Sequence, residues 1–204
     1  MFRNKKELEL FVEELPVFER PKQRLEQYPT DAGLVATAVW DAHMRGLLVD
    51  VVDLGCGTGR FALAAAAMGA RHVLCIDVDV EALKIARRTA EEVGASAVDF
   101  LNADATKIEL RRRFRAAFQN PPFGIWTPRG TDIAFLMAAL RLADVVYTIH
   151  KLPTLEYVVG RVAELGFELK VLEKAVINIK PMYRHHRKRL HKVEVFLAFV
   201  SRRA

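Results

Sequence analysis

Runs of branched and aromatic residues alternate along the chain with stretches whose apolar residues recur every three or four positions. The first pattern predicts β-strands, and the second predicts helices that pack on a sheet. The predicted helices cover residues 5–15, 31–45, 59–68, 80–93, 132–142 and 154–165. The predicted strands cover residues 49–54, 72–76, 97–101, 116–119, 145–149, 168–179 and 193–201.

This order of elements predicts an α/β fold. Five strand–helix units followed by two long strands are typical of a Rossmann-like, doubly wound sheet of seven strands that ends in a β-hairpin. We predict a single domain over residues 1–204, in which residues 1–46 form an N-terminal helical extension. An irregular link with Pro16, Pro21 and Pro29 joins the two helices of that extension.

Composition narrows the class of protein. Hydrophobic residues make up 51% of the chain and charged residues 27%, as in a soluble globular protein. No apolar run reaches membrane-spanning length and the N-terminus lacks a signal-peptide core, so we expect a cytoplasmic location. Two cysteines are too few for a disulfide framework and lack ligand neighbours, so we expect no metal site. We interpret Cys75 as a core strand residue and Cys56 as a small loop residue.

A glycine-rich loop, Asp53-Leu54-Gly55-Cys56-Gly57-Thr58-Gly59, follows the first predicted strand. Glycines at this place let the chain turn sharply and let a ligand approach the backbone. The spacing is G-x-G-x-G, whereas dinucleotide-binding loops have G-x-G-x-x-G. An acid at the strand end repels a pyrophosphate but attracts the cationic amino acid part of S-adenosylmethionine. The loop therefore predicts a site for S-adenosylmethionine that includes Asp53, Gly55, Cys56, Gly57 and Gly59.

Two further acids end the next two predicted strands. Asp77 can accept hydrogen bonds from both ribose hydroxyls of the cofactor, and Asp104 can accept one from its adenine amino group. We assign their neighbours Val78 and Ala105 to the same site. Helix caps or solvated turn residues are the alternative for each acid. Three acids at successive strand ends beside this loop favour the cofactor.

The fourth predicted strand ends in Asn120-Pro121-Pro122-Phe123. The lone pair of adenine N6 is delocalised into the ring, so the nitrogen must pyramidalise before it attacks a methyl group. The Asn120 oxygen and the Pro121 carbonyl could favour this change by accepting the two N–H protons, and prolines fix such a carbonyl in place. Phe123 offers a flat face on which a flipped base can stack. We predict that these four residues are catalytic and that Asn120 also contacts the cofactor; the alternative is that the prolines only end a strand.

These motifs, taken with three other segments, resemble those of a known family, the methyltransferase-like N6-adenine enzymes that modify small-subunit ribosomal RNA. The other segments are Leu25-Glu26-Gln27-Tyr28-Pro29-Thr30, Gly130-Thr131-Asp132-Ile133-Ala134-Phe135-Leu136 and His150-Lys151. The resemblance implies the fold of class I S-adenosylmethionine-dependent methyltransferases. It also implies that Gln27, Tyr28 and Thr30 form a lid or wall over the cofactor. We expect Thr131 to cap the following helix and His150 to be an ordinary strand-end residue.

The resemblance also implies a partner. Eukaryotic members of the family pair with a small zinc-containing activator protein, and strand addition at the edge strand 97–101 would make such a heterodimer. Family members usually carry an aspartate early in the fourth strand, which this chain lacks. That position is more structural than catalytic.

A basic segment precedes the last predicted strand. The chain has a net charge of +6. Residues 180–192 contain no Asp or Glu, and their number of Lys and Arg residues equals this net charge. Such a concentration of positive charge indicates a polyanionic partner. Beside the catalytic motif this partner would be RNA, with phosphates held by the cations; a solvated hairpin loop is the alternative. We assign RNA binding to Lys180, Tyr183, Arg184, His185, Arg187, Lys188, Arg189 and Lys192.

The sequence therefore predicts an S-adenosylmethionine-dependent N6-adenine methyltransferase that acts on RNA, with small-subunit ribosomal RNA as the favoured substrate. A protein glutamine N5-methyltransferase is one alternative, because an amide nitrogen poses the same chemical problem. DNA adenine methylation is another, although no target-recognition domain is present. A non-catalytic RNA-binding assembly factor that keeps the cofactor is the alternative from a different class.

Overall fold

A computed structural model of the chain describes residues 2–179 and 191–203. In this part of the chain the helices are α1 (Lys5–Glu14), α2 (Ala32–Met44), α3 (Arg60–Ala67), α4 (Val80–Glu92), α5 (Thr131–Leu142) and α6 (Leu155–Glu164). The strands are β1 (Asp50–Leu54), β2 (His72–Asp77), β3 (Val98–Asn102), β4 (Phe114–Gln119), β5 (Ala143–Lys151), β6 (Phe167–Ile179) and β7 (His191–Arg202). None of these helices is long and apolar enough to cross a membrane.

Side-chain caps explain where several helices begin. Asn4 and Asp31 each accept a hydrogen bond from a backbone N–H in the first turn of α1 and α2. The expectation that Thr131 caps α5 is wrong. Gly130 is the residue at the N-cap, with φ of 83°, and the Thr131 hydroxyl donates instead to the carbonyl of Pro128. A left-handed backbone is open to glycine without strain, which is why the turn before α5 takes this form.

The strands form one sheet in the order β3-β2-β1-β4-β5-β7-β6. The first five strands of this order are parallel, whereas β7 runs antiparallel to both β5 and β6. The predicted seven-stranded, doubly wound sheet with a terminal hairpin is therefore confirmed. Strand β4 begins two residues earlier than predicted, because Phe114 pairs with Ala143 at the start of β5.

The register of the sheet brings the functional loops to one edge. Leu54 at the end of β1 lies opposite Ile76 of β2 on one side and Gln119 of β4 on the other. The strand order reverses between β1 and β4, and the carboxyl ends of strands at such a reversal form a ligand-binding crevice. The glycine-rich loop leaves β1 here, beside the ends of β2 and β4.

Alternate side chains of β1 enter two apolar cores. Val51 packs in the core that α1–α4 cover, whereas Val52 and Leu54 pack in the core beneath α5 and α6. Burial of each of these side chains stabilises the fold by about 1.5–3 kcal/mol. Replacing Val52 by Asp would remove that contribution and leave an unpaired charge in the centre of the sheet.

Candidate active site

A cavity of about 310 Å³ lies where the carboxyl ends of β1, β2 and β4 meet. The residues that the sequence assigned to the cofactor or to catalysis and that line this cavity are Gln27, Tyr28, Thr30, Gly55, Cys56, Gly57, Asp77, Val78, Asp104, Ala105, Asn120 and Pro122. Four assigned residues are absent from the lining, namely Asp53, Gly59, Pro121 and Phe123. The structure therefore brings most of the predicted site together around one space.

Asp53 lies beneath the glycine-rich loop. Its carboxyl Oδ2 accepts a hydrogen bond from the N–H of Ala62, at 3.0 Å, in the first turn of α3. The N-cap of α3 is Gly59, which has no side chain to supply this acceptor. Burial raises the pKa of Asp53 to about 8, and the N–H of Ala62 opposes that rise only in part. In this structure Asp53 thus serves as a cap for α3 at the base of the cavity.

Asp77 ties the glycine-rich loop to the end of β2. Its Oδ2 accepts from the N–H of Gly57 at 2.8 Å, and its Oδ1 accepts from the N–H of Asp79 at 2.7 Å. Burial raises the pKa of Asp77 above its usual value, although both N–H groups oppose the rise. Each carboxylate oxygen can accept a further hydrogen bond, so the ribose hydroxyls of a nucleoside fit this position.

Asp104 lies at the opposite wall of the cavity, in the loop after β3. Its Oδ1 accepts from the N–H and the hydroxyl of Thr106, and Lys107 lies 3.2 Å from its Oδ2. Burial alone would raise the pKa of Asp104, but the hydrogen bonds from Thr106 and Lys107 outweigh it, so the pKa is lowered. An ionised acceptor on this wall suits a ligand that carries an amino group.

Asn120 directly follows β4, and among the described residues one hydrogen bond holds its side chain. Its Nδ2 donates to the Thr30 hydroxyl at 3.1 Å. Its Oδ1 is buried and has no hydrogen-bond partner among the described residues. Leaving a buried acceptor unpaired costs about 1–3 kcal/mol, so a ligand that donates a hydrogen bond to this atom would offset that cost.

The segment of residues 25–30 forms one wall of the cavity and is anchored at both ends. The amide of Gln27 donates to Asp79 at 2.6 Å and accepts from the N–H of Lys22 at 2.7 Å. The carbonyl of Thr30 accepts from Arg60 of α3 at 2.8 Å. The side-chain amide of Gln27 is therefore engaged in holding the segment in place. Sequence reasoning gave Arg60 no role.

Glu26 is the residue of this segment that sequence reasoning missed. Its Oε2 accepts from the N–H of Phe123 at 2.6 Å. Its Oε1 accepts from the N–H of Trp126 at 2.7 Å and from the N–H and hydroxyl of Thr127, each at 2.9 Å. One buried carboxylate thus holds the loop that follows Asn120. An acid between Leu25 and Gln27 is a weak signal in the sequence, since its partners lie far along the chain.

Tyr28 lines the cavity, whereas Phe123 does not. Phe123 is buried, with 4% of its surface exposed, and its ring packs against that of Tyr28 with a centroid distance of 5.6 Å. The Tyr28 hydroxyl is buried without a hydrogen-bond partner in the described structure. Burial, followed by the nearby charge of Glu26, raises the pKa of Tyr28 well above its usual value. The predicted open face of Phe123 is therefore covered by Tyr28.

A buried polar network supports β4 just before Asn120. His150 is fully buried, with its Nδ1 3.2 Å from the carboxylate of Asp132 and its Nε2 2.9 Å from the hydroxyl of Thr148. Gln119 donates to the same hydroxyl at 2.9 Å. His150 is thus part of the support of the site, which goes beyond the ordinary strand-end residue that was expected.

Cys56 and Cys75 form a disulfide bond. Cys75 is a buried residue of β2 and Cys56 a loop residue, as interpreted, but the bond between them was not predicted. Strands β1 and β2 pair in parallel, and the N–H of Cys56 donates to the carbonyl of Ile76, next to Cys75. That register places the two side chains together, although they are 19 residues apart in the chain.

Most of the basic segment falls outside the described residues. The assigned RNA-binding residues that lie there are Lys180, Tyr183, Arg184, His185, Arg187, Lys188 and Arg189. Lys192 is described; it is exposed in β7 and pairs in register with Asn178 of β6. Within residues 2–179 and 191–203, no group of three His, Cys, Asp or Glu side chains could hold a metal ion.

Comparison with solved structures defines the class of protein. Residues 51–143 match a family described as a methyltransferase domain. The structure superposes on that of PH1948 from Pyrococcus horikoshii over 99% of this chain and 98% of that protein, with a TM-score of 0.86 and 30% identity. The fold is also shared, at a TM-score of 0.61 and 18% identity, with the magnesium protoporphyrin IX methyltransferase of Synechocystis, which was crystallised with bound S-adenosylmethionine. The chain has the fold of the class I methyltransferases.

Two relatives define the family. The chain is 30% identical to the rRNA N(6)-adenosine-methyltransferase METTL5 of Danio rerio over 95% of this chain and 97% of that protein. It is 33% identical to the uncharacterised protein MJ0284 of Methanocaldococcus jannaschii over 95% of this chain and 92% of that protein. The chain belongs to the METTL5 family of methyltransferases.

Proposed function

We propose that this enzyme transfers a methyl group from S-adenosylmethionine to N6 of an adenine in RNA, with small-subunit ribosomal RNA as substrate and the cytoplasm as its location. Support for RNA as the substrate class comes from the METTL5 of Danio rerio, which is an rRNA N(6)-adenosine-methyltransferase. Support for small-subunit ribosomal RNA comes from the motifs that the chain shares with such enzymes. The basic segment 180–192 would supply cations for the phosphates.

The observation that carries the proposal is the Oδ1 of Asn120 in the cavity wall, which is buried and has no hydrogen-bond partner within the described part of the chain. Because the Nδ2 of Asn120 is held by Thr30, the side chain presents its oxygen as an acceptor. An exocyclic amine has two N–H groups to donate, and this oxygen would take one. The carbonyl of the next residue, Pro121, which is not among the residues that line the cavity, would take the other. Accepting both protons favours a pyramidal nitrogen whose lone pair is free to attack, and fixed acceptors need no reorganisation during the reaction.

The remaining residues hold the two substrates in position. Asp77 and Asp104 would bind the ribose and the adenine of the cofactor, and the glycine-rich loop would lie against its amino acid part. When bound, the cofactor supplies a methyl group activated by a positively charged sulfur. The chain therefore needs no strong base, because the amine proton leaves to water after the transfer. Its task is to align the acceptor nitrogen, and alignment of this kind supplies several kcal/mol.

We also propose that a small zinc-containing activator protein pairs with this chain. Strand β3 forms one edge of the sheet, so its free backbone groups are available to a strand of the partner. Co-purification of the two proteins, compared with a variant that carries a proline in place of Phe100, would test this pairing. A proline removes a backbone donor from the strand.

The test of the function is transfer of labelled methyl groups to total RNA, DNA and protein, followed by nucleoside and amino acid analysis. We expect N6-methyladenosine in small-subunit ribosomal RNA and a loss of at least about 100-fold for Asn120→Ala, the scale seen when a preorganised acceptor or donor is removed. Calorimetry should show that this variant still binds S-adenosylmethionine. Asn4→Ala, at the N-cap of α1, is the matched control and should retain activity. Label only in glutamine side chains would replace the proposal with the protein-modifying alternative.

A further inference from the structure

The loop between Phe123 and α5 exposes a large aromatic side chain directly beside a residue of the cavity wall. Trp126 is 62% exposed, and its neighbour Ile125 is 51% exposed. The next residue, Thr127, lines the cavity itself. Two adjacent exposed apolar side chains beside a site form a small apolar surface on which the flat ring of a ligand can stack.

The main chain beneath Trp126 is held in place. Its N–H donates to Glu26 at 2.7 Å, and the N–H of Thr127 donates to the same oxygen at 2.9 Å. Farther along, the N–H and hydroxyl of Thr131 donate to the carbonyl of Pro128, which closes the loop onto α5. The ring is therefore presented from a backbone fixed on both sides, which reduces the entropy lost when a ligand stacks on it.

We infer that Trp126 is a stacking platform for an unpaired nucleotide next to the target adenine, an inference that rests on the proposed function. An adenine that enters the cavity must leave its stack, and the neighbouring base then loses the partner on one face. An indole at the rim replaces that lost stacking partner. Arg129 is exposed in the same loop and supplies a cation for the backbone phosphate that joins the two nucleotides.

The chemistry of this rim favours RNA over a protein partner as the occupant of Trp126. Trp126 directly precedes Thr127, which lines the space in which the reacting base would sit, so covalent connection keeps a neighbouring nucleotide close to this loop. Stacking on an aromatic ring accepts any base and therefore sets the position of the strand without reading its sequence.

Trp126→Ala tests the inference by steady-state kinetics on ribosomal RNA. We expect the KM for RNA to rise by about 10-fold or more, which is within the range for loss of one stacked base. The kcat at saturating RNA and the affinity for S-adenosylmethionine should stay within about twofold of the parent, and Trp126→Phe should restore most of the RNA affinity. An unchanged KM for RNA overturns the inference. Loss of activity that appears only when the activator protein is present, with RNA binding unchanged, also overturns it and assigns the ring to a protein contact.

Fluorescence supplies a second measurement that does not depend on turnover. The chain has two tryptophans, so Trp40→Phe leaves Trp126 as the only one. A short single-stranded oligoribonucleotide should quench the emission of Trp126, and an oligonucleotide with the same phosphates but no base beside the adenine should quench it much less. Equal quenching by both overturns the inference. If the parent enzyme forms no N6-methyladenosine in any RNA, the proposed function is wrong. If it methylates RNA but the emission of Trp126 is not quenched, only the inference about Trp126 is wrong.

Discussion

The carboxylate of Glu26 accepts a hydrogen bond from the backbone N–H of Phe123 at 2.6 Å, across 97 residues of sequence. Glu26 has φ of 50° and is the one residue other than glycine with positive φ among residues 2–179 and 191–203. Backbone strain at a residue of this kind persists only where surrounding contacts outweigh it. Here those contacts are the hydrogen bonds from the loop after Asn120, so the strain at Glu26 and the shape of the catalytic loop depend on each other.

Glu26→Gln should impair catalysis more than it impairs cofactor binding. Both oxygens of Glu26 accept hydrogen bonds from the loop, and glutamine replaces one of those oxygens with a donor that faces other donors. Hydrogen bonds to a charged group each contribute about 1.5–3 kcal/mol, so we expect kcat to fall by at least about 10-fold. The measurement is kcat for methyl transfer beside the Kd for S-adenosylmethionine from calorimetry.

The matched control for this variant is Glu14→Gln, which makes the same exchange at an exposed position of α1. It should leave kcat and stability unchanged. If Glu26→Gln binds the cofactor and turns over as fast as the parent, the carboxylate does not position the loop.

Thr30→Val should slow methyl transfer, because it removes the hydroxyl that accepts from the Nδ2 of Asn120. The amide of Asn120 would then be free to rotate and present a donor where the acceptor is needed. A neutral hydrogen bond contributes about 0.5–1.5 kcal/mol, so we expect a 2- to 10-fold lower single-turnover rate at saturating cofactor. Thr30→Ser keeps the hydroxyl and should keep most of the rate. Equal rates for the two variants would contradict this role of the hydroxyl.

The fold could be predicted because its determinants are local. Each strand–helix unit carries its own period of apolar residues, and parallel strands with helical connections bring their carboxyl ends to one edge. This is why Gly55, Asp77 and Asn120, each at the end of a different strand, surround one cavity. The order of the strand–helix units and the identity of the residues at the strand ends were sufficient to predict this part of the site.

The rest of the site depends on contacts that no local pattern contains. Glu26 finds its partners about a hundred residues away, and its left-handed backbone is not typical of glutamate. Asp53 caps α3 because the residue at the N-cap happens to be Gly59. The disulfide depends on the register of β1 against β2, which is set by the whole sheet.

The disulfide between Cys56 and Cys75 should be detectable by counting thiols. An alkylating reagent should modify neither cysteine in unfolded, unreduced protein and both after reduction. A bond that closes a loop with a separation of 19 residues constrains the unfolded chain. Its reduction should therefore lower the free energy of unfolding by about 3 kcal/mol. A variant with both cysteines replaced by alanine should have the lower stability with or without reductant. Two reactive thiols in the unreduced protein would show that the bond does not form.

Asp53 should make the stability of the protein fall as the pH rises. The carboxyl has a pKa of about 8 in the folded protein because it is buried, against an ordinary value of 3.8. Between these values the folded state holds a proton that the unfolded state has released. The contribution of the protonated Asp53 to the free energy of unfolding is thus complete below about pH 4 and is lost as the pH rises through 8. The free energy of unfolding falls over this range by at most about 1.4 kcal/mol per pH unit.

Asp53→Asn isolates this effect, because the asparagine oxygen can still accept the N–H of Ala62 while the side chain no longer titrates. Urea unfolding from pH 5 to pH 9 should show the variant gaining stability relative to the parent as the pH rises, with the difference levelling off above about pH 8. Glu91→Gln removes an exposed carboxylate of α4 and should give the same dependence of stability on pH as the parent. Parallel curves for Asp53→Asn and the parent would mean that Asp53 is already ionised in the folded protein at neutral pH. The carboxylate would then be a permanent negative charge at the start of the cofactor loop, whereas a protonated Asp53 carries no charge there.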